Sequence, residues 1–293
     1  MPLCTLHLLS LHPQTHLQTF LSTLNSISPP PLLTSRVIRW IILPSKLSTS
    51  ELLAQNIHWD LVVLVPGTSA LSKEVQEKVQ AKWSVVIGVP SKLVDGFRER
   101  NKNLLFPGPE TIPELESGKK RKGVEREGGE ESTSSSTSVG LNLIKGESAQ
   151  NLQLDTALDK WITSFHSTGS PRDIATGPVT MLNLLSFLPN KKSSYLQYGA
   201  AFGSKVGKKF GGNAKIVGTV VETEGKQREE GDGGWDEVAF AQYPSLLHFR
   251  AMLRDEEYQE ANSKFRLPSL RDTFILCTSE VGSEGWGVER ARL

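Results

Sequence analysis

The chain has 293 residues, which at about 100 to 200 residues per domain favours two domains over one. Its hydrophobic fraction of 38%, before glycine is counted, is ordinary for a globular protein; 33 basic against 32 acidic residues leave a net charge of +1, too little long-range field to draw nucleic acid or an anionic membrane. The two cysteines, Cys4 and Cys277, stand near opposite ends of the chain, so a disulfide framework or thiolate metal cage is excluded and a reducing, cytoplasmic setting fits.

In chain order, the N-terminus lacks a basic region and its apolar stretch is broken by His7, so no secretory signal is expected, and no apolar run reaches the length of a membrane span. Alternation and turn signals predict strands over 6–11, 36–43, 59–65 and 85–89, with helices over 16–24 and 72–82. Residues 101–150 then change character: Pro, Gly, Ser and mixed charge with few large apolar side chains, a composition that cannot offset its own ordering entropy. This segment is read as a disordered linker; its KKRK at Lys119 to Lys122 is neutralised by Glu114, Glu116, Glu125 and Glu127.

After the linker, Leu158, Trp161, Ile162 and Phe165 predict an amphipathic leading helix over 155–165. Strands follow over 179–188, 214–222, 235–243 and 273–281. A helix is predicted from Ser194 to Phe210 on the stripe Tyr195, Tyr198, Phe202, Val206 and Phe210, and a second is predicted to begin at the cap Ser245, restart at Asp255 and run to Pro268. Each half thus reads β-α-β-β-α-β, and the Trp59-Asp60 and Trp235-Asp236 steps, each followed by a strand and a proline, point to a tandem repeat. The expected fold class is α+β: two ferredoxin-like units, residues 1–100 and 151–285, packed as an intrachain dimeric α/β barrel with their sheets face to face.

The steps Tyr243-Pro-Ser245, Glu257-Tyr258-Gln259 and Arg266 carry a resemblance to the domain of unknown function 1330 family, over roughly residues 177–281. Where relatives often place Trp-Tyr, this chain has Phe249-Arg250. The resemblance implies a small dimeric α/β barrel in a superfamily holding cofactor-free monooxygenases, isomerases, dehydratases and haem-degrading enzymes beside members without known activity. It leaves a further homodimer open. Fold alone does not choose among these.

The residues offer a few candidates, each with a structural alternative. Arg266 can fork onto a ligand carboxylate, or pair with Asp272, Asp255 or Glu257, or act as a helix C-terminal cation. His248 can serve as a neutral general base or as a structural imidazole without an evident acidic partner. Asn183 interrupts an apolar strand face and needs partners if buried; Tyr198 and Tyr258, with Tyr195, can offer hydroxyls to the same cleft or pack as core. The expected occupant is a small, largely apolar organic molecule held by Asn183, Tyr198, Tyr258 and Arg266, the alternative being a non-catalytic interaction module.

No metal or cofactor is expected. His12 and His16 are separated by Pro13 and lack a third ligand, and the Gly203 to Lys209 stretch is one residue short of a phosphate loop. The terminal Ala291-Arg292-Leu293 is similar to a peroxisomal matrix address, the alternative to a cytoplasmic location.

Overall fold

The computed structural model describes residues 1–115, 150–169, 174–229 and 231–281. The first half runs β1 (Leu3–Leu11), α1 (Leu17–Asn25), β2 (Leu33–Ile42), α2 (Thr49–Leu52), β3 (Leu61–Pro66), α3 (Lys73–Gln76), β4 (Val79–Gly88), α4 (Ser91–Val94) and α5 (Phe97–Leu105). The second half runs α6 (Thr156–Ser167), β5 (Val179–Phe187), α7 (Lys192–Ala201), α8 (Gly207–Lys209), β6 (Asn213–Thr223), β7 (Lys226–Gln227), β8 (Glu237–Tyr243), α9 (Leu246–Leu253), α10 (Glu256–Ala261) and β9 (Leu270–Glu280). Two π-helical turns, Phe202–Val206 and Asn262–Arg266, extend α7 and α10.

The strands pair antiparallel in the order β4-β1-β3-β2-β9-β5-β8-β6, and β4 also pairs with β6, so eight strands close into a barrel with β7 as a short extra strand on β6. Alternation sends Leu6, Leu8, Val62, Leu64, Val85, Ile87, Leu182, Leu184, Val238, Phe240, Phe274 and Leu276 into one continuous lumen core. An eight-stranded barrel is just wide enough to be filled by side chains. Near the start of β9, Trp40, Trp83 and Trp235 meet the Phe274 ring edge-on at 5.4, 6.1 and 5.4 Å. Towards the other end of β9 the filling is polar: Lys215 pairs with Glu280 and donates to Gln242 at 2.7 Å, while Asn101 of α5 donates to Glu280 at 2.7 Å.

The outer faces carry two further cores. Phe20, Leu24 and Val75 cover Leu9, Leu61 and Val63 in the first half; Leu158, Ile162, Phe249, Met252 and Tyr258 cover Met181, Tyr243, Ile275 and Cys277 in the second. Strands buried on both faces explain why 61–65 reads as an unbroken apolar run.

The expected fold class is therefore corrected. The chain does not form two ferredoxin-like β-α-β-β-α-β units packed face to face as an intrachain dimer; it forms one sheet closed on itself, joined edge to edge through β2–β9 and β4–β6. Hydrophobic alternation reports which face is buried and says nothing about which edge finds a partner. Closure leaves no free edges among the eight strands, and register shifts at Val37/Arg39, Trp40/Ile42 and Val86/Ile87 occur in the two pairings that complete it. The predicted helix over 72–82 is also shortened: Ser72 caps α3 through the Val75 amide, but Val79 already belongs to β4, whose ladder with β1 overrides the local helical pattern.

Of the segment read as a linker, 101–105 belong to α5 and Gln150 is buried, while 116–149, including Lys119 to Lys122, lie outside the described residues. The Ala291-Arg292-Leu293 tripeptide lies outside them too. Among the described residues no helix is long and apolar enough to cross a membrane.

The two Trp-Asp steps make matching contacts. Asp60 accepts the Leu11 amide at 2.7 Å and Asp236 the Phe187 amide at 2.6 Å, while their own amides reach Leu9 and Leu185, both at 2.8 Å. Counting back along β1 and β5, His7 and Asn183 hold corresponding outward positions.

His7 is 3% exposed and neither ring nitrogen has a partner among the described residues. Burial, with the Lys82 charge adding to it, lowers its pKa to about 4. Below an unfolded value of about 6.5 the unfolded chain binds the extra proton first, so this stability is intact above that pH and is lost as pH falls towards 4. The full loss is about 3 kcal/mol. In urea unfolding at pH 7 and pH 4, His7→Leu is expected to gain about that much on the wild type between the two; a pH-independent difference would contradict a buried neutral imidazole.

Candidate functional site

The candidate site lies on the outer face of β5 and β8, beneath α7 and beside α10. Outward residues of β8 are Glu237, Ala239, Ala241 and Tyr243, and Asn183 of β5 pairs in register with Ala239. Both alanines and Asn183 are only partly buried. Asn183 donates to the Met181 carbonyl at 2.9 Å, and its side-chain oxygen keeps its capacity to accept.

Aromatic rings form the upper wall. Ring centroids run from Phe187 to Tyr195 at 4.9 Å, Tyr195 to Tyr198 at 5.4 Å and Tyr198 to Tyr258 at 6.2 Å. The hydroxyls of Tyr198 and Tyr258 share a 3.2 Å hydrogen bond, so one donates to the other and the second proton is free for another acceptor. At Gly207, just past the first π turn, a Cβ would stand 2.6 Å from the Phe202 carbonyl oxygen; glycine there lets the wide turn close, with the Phe202 ring edge-on to Tyr243.

Arg266 ends the second π turn and is 1% exposed. One terminal nitrogen donates to the Gln150 carbonyl at 3.2 Å and to the Asn262 side-chain oxygen at 3.4 Å, while the other, Nη2, has no partner among the described residues. Among the described residues no carboxylate forms an ion pair with it; of the three partners open on sequence grounds, Asp272 and Asp255 are engaged elsewhere and Glu257 forms no ion pair with it. A buried guanidinium without a counter-charge is costly. Burial pushes the Tyr258 hydroxyl well above its usual pKa and raises those of Tyr195 and Tyr198, with the Arg266 charge acting against the rise in all three. These phenols stay protonated and act as donors. Among the described residues, the group of Arg266 and three tyrosines therefore presents positive charge and O–H donors with no anion to receive them.

Tyr198, Tyr258 and Arg266 are thus brought together, with Asn183 on the adjoining sheet face. His248 is not part of the group. Its Nε2 lies 3.1 Å from the Pro113 carbonyl, which can only accept, so Nε2 carries the proton and Nδ1 accepts the Ser245 hydroxyl at 2.8 Å. Burial lowers its pKa, with the Pro113 hydrogen bond opposing. Both nitrogens are spoken for, and the imidazole braces the 113 segment against α9.

Sequence reasoning missed Glu237 and Gln150. Glu237 opens β8 on the same outer face, its side chain 13% exposed, with the Lys192 ammonium 3.9 Å away. Its outward position was legible in the alternation of Trp235 to Tyr243. Gln150 fell in a stretch with no periodic signal. Among the described residues no group of three or more His, Cys, Asp or Glu could hold a metal ion.

No family model and no curated protein matches the chain, so the likeness to the domain of unknown function 1330 family remains one of motifs. Among solved structures, a protein of unknown function from Rhodopseudomonas palustris is 24% identical, covering 44% of this chain and 98% of its own, with a TM-score of 0.33. A candidate monooxygenase from Lactobacillus acidophilus is 6% identical, covering 95% of this chain and 93% of its own, with a TM-score of 0.41. An anthrone oxidase-like protein is 11% identical, covering 100% of this chain and 97% of its own, with a TM-score of 0.39. At these scores the likenesses carry no function to this chain.

Proposed function

We propose that the second half binds a small organic molecule bearing an oxyanion, a carboxylate or an enolate, in the trough between α7 and the outer face of β5 and β8. The observation that carries this reading is Arg266, 1% exposed with Nη2 unpartnered and no carboxylate paired with it among the described residues. A planar guanidinium recognises such a group in two-pronged fashion, and Tyr198 or Tyr258 supplies a further donor. The file of rings from Phe187 to Tyr258 suits an apolar or aromatic body on the ligand, and Asn183 offers its amide oxygen to a donor on it. Donors aimed at a negative oxygen in a water-poor site are the arrangement that stabilises oxyanion intermediates without a metal.

Phenylacetate tests the reading. It is expected to raise the melting temperature of the wild type, with the shift lost in Arg266→Met and weakened in Tyr258→Phe and Asn183→Leu, while neutral phenylacetamide gives none. An equal shift from the amide, or an unchanged one in Arg266→Met, would overturn it. The competing reading, a non-catalytic interaction module, draws on the filled barrel lumen and predicts no shift from either compound.

A further inference from the structure

We infer that Gln150 and Asn151 form a strap that competes with the ligand for Arg266, so that the chain holds its own oxyanion site half-closed; this rests on the oxyanion reading above and supplies that site's regulation.

Residues 150–154 belong to no helix or strand and lie against α10. Gln259, Asn262 and Arg266, spaced three and four residues apart, share one face of α10 and of the π turn after it. Each donates to the passing segment: Arg266 Nη1 to the Gln150 carbonyl at 3.2 Å, Asn262 to the Asn151 side-chain oxygen at 3.3 Å, and Gln259 to the Leu152 carbonyl at 3.2 Å. All three stand at or past the long end of the N–H···O range, so none holds the segment firmly. The firm attachment is a latch. The side-chain amide of Gln150, a residue 7% exposed, donates to the Asp272 carboxylate and, at 3.1 Å each, to the Ser45 hydroxyl and the Thr273 carbonyl. Leu152, packed in the outer core of the second half, is the pivot. Beyond it Gln153 and Leu154 border a hollow of about 440 Å³ that Leu253, Arg254 and Gln259 also line, which leaves the segment room to shift.

The competition is for one nitrogen. An end-on grip on a carboxylate takes both terminal nitrogens of a guanidinium in two parallel hydrogen bonds. Nη2 has no partner among the described residues, but Nη1 already carries the Gln150 carbonyl. Its other contact, the Asn262 side-chain oxygen at 3.4 Å, is longer still. With the strap down an end-on oxyanion receives one prong, and with the strap lifted it receives two. The Gln150 carbonyl is thus a placeholder for the second ligand oxygen: it satisfies part of a buried charge while the site is empty, and a charged acceptor, bonding more strongly than a neutral one, displaces it. A movement of two residues about Leu152 is enough to free Nη1.

Gln150→Ala tests this, because it removes the side-chain latch and keeps the backbone carbonyl. By titration calorimetry the variant is expected to bind phenylacetate about tenfold more tightly than the wild type, since less of it sits in the closed form. The wild type supplies a second readout by NMR, which stands whether or not the variant folds: saturating phenylacetate should speed hydrogen exchange of the Gln150 side-chain amide at least about tenfold. Equal or weaker binding by a folded Gln150→Ala, or unchanged or slowed exchange in a wild type that binds phenylacetate, overturns the strap and leaves the oxyanion reading standing. Phenylacetate bound by neither protein overturns both.

Discussion

Asp272→Ala is expected to lower the unfolding free energy by about 3 kcal/mol or more, the largest loss foreseen for a single substitution in this chain. The Asp272 carboxylate is fully buried and accepts the amides of Ser45 at 3.0 Å, Lys46 at 2.8 Å and Leu47 at 2.7 Å, the Ser45 hydroxyl at 3.0 Å, and the Gln150 side chain. It therefore pins the loop after β2 to the start of β9, next to one of the two seams that close the barrel. Removing it strands several donors at once, each worth about 1 to 3 kcal/mol when left unpaired in the interior. Asp272→Asn, which keeps one acceptor oxygen, should lose roughly half as much. Burial pushes the Asp272 pKa up, but the hydrogen bonds from Leu47, Ser45, Lys46 and Gln150 together prevail and leave it below the usual carboxylate value. Its contribution is thus complete above about pH 4, the unfolded value, and is lost as pH falls further through the folded one. The His7 effect occupies the range above, so urea unfolding from pH 7 to pH 2 separates the two. A loss under 1 kcal/mol for Asp272→Ala would mean that water replaces the carboxylate at little cost.

Arg266→Met should do the opposite to stability and should weaken ligand binding. Exchanging a buried, uncompensated guanidinium for an apolar side chain of similar length removes a desolvation cost, and the ligand-free protein is expected to gain about 1 to 3 kcal/mol in urea unfolding. Phenylacetate affinity should meanwhile fall by a factor of about 100, in line with about 3 kcal/mol for a charge-assisted pair of hydrogen bonds. A gain in stability with loss of binding is the signature of a residue retained for its ligand. If the variant instead unfolds more easily by several kcal/mol, Arg266 is a strut holding Gln150 and Asn262 in place.

What the sequence disclosed follows from the kind of signal each feature leaves. The strands of both halves were legible because strands covered on both sides show long apolar runs, as at 61–65, or strong alternation, as at 235–243. Barrel closure left no such trace: the pairing of Ser35 with Glu280 or Val86 with Glu222 depends on backbone edges, which side-chain patterns do not encode. Tyr198, Tyr258 and Arg266 stood out as chemically distinctive residues at helical spacing. The π turns that aim Phe202 and Arg266 were invisible, since a single wide turn shifts the period by one residue inside an otherwise helical stripe. Glu237 resembled any solvent-facing charge in an alternating strand; that its side chain is only 13% exposed and lies 3.9 Å from Lys192 of α7 appears only in the structure.

The central claim is that Arg266 waits for an oxyanion, and a crystal of the full chain soaked with phenylacetate tests it most directly. The account predicts the carboxylate within about 3.2 Å of Arg266 Nη2, a tyrosine hydroxyl as its second donor, and the ring lying along Ala239 beneath Tyr195 and Tyr198. A carboxylate from the chain's own residues 116–149 already paired with Arg266, or phenylacetate bound only elsewhere, would contradict it.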